Sequence, residues 1–168
     1  MKNIFYKKAC PSSRMVGKMR GITVVELLVV IAVIGIIILI AFPQFSRMRE
    51  NQLIKNATVD VLSVIEKARS QTLSSLNSSE YGVRFQPDQV IIFKGKVFSG
   101  SAVDNETIDI IPPASISNIT LNEVSGSEMN MYFNRLSGVP SASGTITINT
   151  TNIQKIITIS ATGMASVN

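Results

Sequence analysis

Leu27 to Phe42 is a run of 16 residues without one charged or polar side chain, and it constrains this chain more than any other stretch. Counted from Val24 the run is 19 residues, in which Glu26 is the single ionisable group. As a helix rising ~1.5 Å per residue, it reaches ~28 Å, close to the ~30 Å hydrocarbon thickness of a bilayer. Nine positions between Val29 and Ile40 are Val or Ile, which favour strand in water. In lipid a lone strand would leave its backbone groups unsatisfied, so the expected form is a helix that spans the membrane.

Charge gives that span a direction. The full chain carries a formal +5. Lys2, Lys7, Lys8, Arg14, Lys18 and Arg20 place six basic residues before Gly21 and no acid among them, leaving 10 basic against 11 acidic residues beyond. The basic balance therefore belongs to the N-terminus and is the positive-inside signal of a segment held in the cytoplasm, not the mark of a nucleic-acid partner. Arg47 and Arg49 beyond the run oppose it weakly. A secretory signal is a poorer reading, since Ala41-Phe42-Pro43 makes a weak cleavage site. An uncleaved signal anchor explains the charges and the span, but not the spacing from Gly21 to Glu26.

An acid inside a membrane segment is costly and is read as functional, with a partner to be named; near the end of the span the cost is smaller, and position alone equally allows an interfacial residue with no special role. Gly21-Ile22-Thr23-Val24-Val25-Glu26, after a basic leader and before a long apolar helix, resembles the processing site of the type IV prepilin family. The departure is Ile22, where Phe is commoner in that family. The resemblance implies cleavage after Gly21 by a prepilin peptidase on the cytoplasmic side, and N-methylation of Ile22. Glu26 would then partner the new amine, its own or a neighbouring subunit's, in a bundle core where neither charge is stable alone. Implied partners are other pilin or pseudopilin subunits, an inner-membrane assembly platform and the lipid bilayer. The implied location is the cytoplasmic membrane, with the N-terminus inside and the C-terminal part outside.

The remainder reads in blocks: a leader at 1–21, a membrane and assembly half-helix at 22–43, an amphipathic half-helix at 44–80 and a β-rich domain at 81–168. Gly35, mid-span, is either a close-packing point or a weak place in the helix. Pro43 removes the bond to the Leu39 carbonyl and is expected to kink the helix. Ile54, Ala57, Val61, Val64 and Ala68 recur at steps of three and four, the pattern of a face buried under the following domain. The helix is expected to run to about Leu76 and to end at Asn77-Ser78-Ser79. From Tyr81 the pattern turns to period two. Runs at Tyr81–Phe85 and Val90–Phe93 flank a turn, and others lie around Ile108, Ile119, Met131, Ile146 and Ile157, with a last strand after Gly163. The expected class is α+β, a long N-terminal helix packed against an antiparallel sheet.

Ala68-Arg69-Ser70, Phe133 with Gly138, Thr145–Ile148, and Ile156–Ile159 ahead of Gly163 give this half a looser resemblance to the GspH/FimT-type pseudopilins. It implies a minor pilin or pseudopilin. Many pilins close a C-terminal loop with a disulfide. Cys10 is the sole cysteine here and lies in the leader, so the mature domain must hold by packing.

No enzyme is expected. Histidine is absent and no mature cysteine remains, which excludes the familiar nucleophile triads and most zinc sites. No phosphate loop or dinucleotide pattern appears. Asp104, Glu106 and Asp109 have the wrong spacing for a calcium loop and read as a solvated edge. Neither cofactor nor metal is expected. Three functions compete: a structural subunit of a type IV pilus or type II secretion pseudopilus, a DNA-uptake minor pilin of FimT type, and a membrane-anchored binding domain unrelated to pili. DNA capture needs clustered basic residues, whereas Ala161–Asn168 is uncharged and Lys155 stands alone nearby.

Overall fold

A computed structural model describes residues 21–168, apart from the side chain of Pro43. The leader therefore lies outside the described residues. The chain divides between Ala41 and Phe42 into two compact units. One helix, α1 (Val24–Leu73), contributes to both. Its assignment runs without interruption through Gly35 and Pro43.

In the first unit the helix has no apolar face, because it is apolar all round. Fourteen large aliphatic residues from Val24 to Ile40 are each about half or more exposed. Among the described residues it is the one helix long and apolar enough to cross a membrane.

The second unit is the packed domain. Here α1 buries Ile54, Ala57, Val61, Val64, Ile65 and Ala68, the face expected from the spacing, while Lys55, Asp60, Glu66 and Lys67 stay exposed. Thr58 and Thr72 are buried on the same face, and their hydroxyls donate to the carbonyls of Ile54 and Ala68 one turn back. The helix stops at Leu73, three residues before the expected end. Ser74 donates to the Gln71 carbonyl, and the Thr72 hydroxyl accepts the amide of Tyr81. Such local side-chain bonds compete with the helical ladder. A 3-10 turn at Leu76–Ser78 follows, with Ser75, Asn77 and Ser78 at positive φ.

The β half forms two antiparallel sheets where the sequence led us to expect one. The strands are β1 (Tyr81–Phe85), β2 (Gln89–Lys94), β3 (Glu106–Asp109), β4 (Ser115–Leu121), β5 (Val124–Gly126), β6 (Met129–Tyr132), β7 (Gly144–Asn149), β8 (Gln154–Ile159) and β9 (Ala165–Val167). One sheet has the order β3-β2-β1-β6 and the other β5-β4-β7-β8-β9. The chain crosses from the first sheet to the second after β3, returns for β6 and crosses again, so no single hairpin series builds either one. β5 is too short to show a period. The inward residues Val83, Phe85, Val90, Ile92, Ile116, Ile119, Met131, Phe133, Ile146, Ile148, Ile157 and Ile159 join the helix stripe in one core. Each is at most 2% exposed, so packing of this core holds the domain together.

A second, smaller cluster lies on the opposite side of the first sheet. Phe93 is 1% exposed and meets Phe98 edge to face, with ring centroids 5.6 Å apart. The Arg84 guanidinium lies 4.7 Å from the Phe98 ring centre and pairs with Glu128. Gly82 makes room for this layer: a Cβ there would fall 2.3 Å from the Phe93 ring.

Candidate functional site

Helix α1 starts inside the Gly21–Glu26 motif, at Val24. Gly21, Ile22 and Thr23 precede the helix, and Thr23 caps it. The Thr23 hydroxyl accepts the Glu26 amide at 3.2 Å, and the Thr23 carbonyl accepts the Leu27 amide at 3.1 Å. Thr-x-x-Glu is the sequence of a capping box, in which a threonine satisfies a first-turn amide that the helix cannot. The cap thus fixes Glu26 in the first turn, where a carboxylate is also favoured by the helix dipole.

Around that cap the surface is bare. Ile22 is 76% exposed, and Glu26 makes no ion pair with a described residue. A methyl group placed on Gly35 would meet nothing within 4 Å, so mid-helix the backbone is open to close approach. Whether cleavage follows Gly21 involves the leader, which is outside the described residues. The described arrangement is one carboxylate, Glu26, in the capped first turn, an exposed Ile22 before it and an apolar shaft beyond.

Two further clusters in the second unit escaped the sequence reading. Glu50 is buried on the helix, 8% exposed, and accepts a hydrogen bond from each nitrogen of Asn152: the backbone amide at 2.8 Å and the side-chain amide at 3.0 Å. Those hydrogen bonds, with help from Thr150, hold its pKa below the ordinary glutamate range. Glu50 thereby fixes the turn between β7 and β8 to α1. A depression of about 460 Å³ opens beside it, lined by Ser46, Arg49, Leu53, Pro112, Pro113 and Thr151 among others. No spacing rule links Glu50 to Asn152, 102 residues apart.

The other cluster gathers the dispersed residues of the weaker resemblance. Arg69 donates from Nε to the Gly138 carbonyl at 3.2 Å and from a terminal nitrogen to the Thr162 carbonyl at 3.1 Å. Gly163 has φ +83°, and a Cβ on it would stand 2.6 Å from the Gly138 oxygen. Arg69, Gly138 and Gly163 therefore form one knot joining the helix to two loops. Its chemistry is structural: a planar fork of donors meeting carbonyls that would otherwise lack partners.

Among the described residues no group of three or more acidic, histidine or cysteine side chains is placed to hold a metal. Asp104 lies near Lys94 and Glu106 binds Lys67, so both acids sit in surface ion pairs. Comparison of the chain with family models, curated proteins and solved structures gives no match.

Proposed function

We propose that this chain is a pilin-like structural subunit, a minor pilin or pseudopilin of a type IV pilus or type II secretion pseudopilus, anchored by α1 before assembly and joined to its neighbours through it afterwards. The observation that carries the reading is a division within one helix. Its Ile54–Thr72 face is covered by the domain, while its residues from Val24 to Ile40 are covered by no described residue and begin within Gly21–Glu26. Leaving so many aliphatic side chains in water costs roughly 1.5–3 kcal/mol each, so lipid or other helices must cover them.

The reading gives each motif residue a task. A prepilin peptidase cuts after Gly21. The amine of Ile22 becomes a cation at the head of the helix, and the capped Glu26 supplies its counter-charge, within the subunit or across to a neighbour. In a dry bundle an unpaired charge is expensive, so correct axial register is the arrangement in which every amine meets a carboxylate. Gly35 lets neighbouring helices approach, and Pro43 marks a place where the helical ladder lacks one bond.

Intact-mass analysis of the protein from membranes of a host with prepilin peptidase tests this. The expected chain begins at methylated Ile22. Functional protein still carrying Met1–Gly21 overturns the proposal.

A further inference from the structure

From Phe42, the last residue of the apolar run, to Arg49, just before the first residue the domain buries, lies a short stretch that neither the core nor the Glu26 joint uses. Phe42, Phe45 and Met48 are 71%, 72% and 69% exposed. Arg47 and Arg49 are exposed too, and neither belongs to any ion pair among the described residues. The nearest acid in sequence, Glu50, is turned to Asn152. Two cations without an ion pair among the described residues thus share a short helical stretch with exposed Phe42, Phe45 and Met48, just beyond a run suited to lipid.

We propose that Arg47 and Arg49 form a collar that binds the phosphates of anionic phospholipids on the outer side of the membrane while the subunit is stored there. This rests on the anchored-subunit reading above. Three features select a lipid surface as the occupant. The first is position: at ~1.5 Å per residue Arg47 and Arg49 lie about 7.5 and 10.5 Å past Phe42, just beyond a headgroup layer roughly 5–7 Å deep and within reach of a long side chain. Helical side chains lean in general toward the N-terminus, the direction in which that layer lies. The second is angular spacing. Residues two apart on a helix point about 200° from each other, so one small phosphate cannot meet both, whereas a headgroup layer surrounding the helix can. The third is charge: two free guanidinium groups fit phosphate, and Phe45 and Met48 supply the apolar contact of an interfacial segment.

The collar also accounts for two arginines on the side where positive charge is disfavoured. They delay release, and entry into a filament must exchange lipid phosphates for other partners.

The test uses the full chain, purified in mild detergent from membranes and given equal phosphatidylglycerol and phosphatidylcholine, with bound lipid counted by native mass spectrometry. Wild type is expected to favour phosphatidylglycerol, and R47Q and R49Q each to reduce the preference by about fivefold. Inorganic phosphate at millimolar concentration is expected to leave the preference intact. Equal retention by wild type, an unchanged preference in the double variant, or loss of preference to free phosphate overturns the collar and leaves the anchor standing. Carbonate extraction of the chain from membranes overturns both.

Discussion

Glu26 and Glu50 are two carboxylates on one helix with opposite fates. Glu26 stands in the capped first turn without a partner among the described residues, and Glu50 is buried against Asn152. Under the proposed subunit role, Glu26→Ala is expected to leave the fold and leader cleavage intact and to abolish assembly, read as processed protein retained in the membrane fraction. Normal filament formation by this variant would remove Glu26 from the joint. Glu50 makes a pH prediction instead. Its pKa is depressed in the folded state, chiefly by the Asn152 side chain, so its contribution is present above the unfolded value of about 4.3 and is lost as pH falls through the folded one. Thermal midpoints of the detergent-solubilised chain should fall on acidification below about pH 4.3, and Glu50→Gln should shrink that dependence. Arg69→Ala frees two carbonyls at once and is expected to cost about 1–3 kcal/mol, measured by denaturant unfolding. Arg69→Lys should recover only part, since a point charge cannot reproduce the fork.

For single elements, α1 asks for two different tests because its halves are covered differently. Ile65 is 0% exposed against the sheets, and Ile65→Ala should destabilise the domain by about 2–5 kcal/mol through the cavity it leaves. Gly35→Ala has open space around it, so in the isolated subunit it should be neutral or firm the helix by up to ~1 kcal/mol. If Gly35 is a helix–helix contact, the same change lowers filament yield while membrane insertion and midpoint hold; unchanged yield assigns it no packing role. The strands were largely legible in the sequence. Phe85, Phe133, Ile146, Ile148, Ile157 and Ile159 alternate with residues that face away, and a period of two fixes the buried side whatever the partner strand. The helix end was placed late, because the hydrogen bond that takes the Thr72 hydroxyl to Tyr81 depends on where β1 lies.

At the scale of the whole molecule, an apolar unit and a packed domain share one helix. The sequence by itself determined the division of labour along the chain. A 16-residue run without a polar atom in its side chains cannot be left in water, and a stripe at steps of three and four must be buried on one side. It also laid out the Gly21–Glu26 motif, because there the chemistry is contiguous. Tertiary structure alone decided which strands pair, that they split into two sheets, and that Glu50 meets Asn152 and Arg69 meets Gly138 and Thr162. The physical reason is range. Periodicity reports how a residue stands on its own element, whereas a contact across 69 to 102 residues depends on the path of everything between.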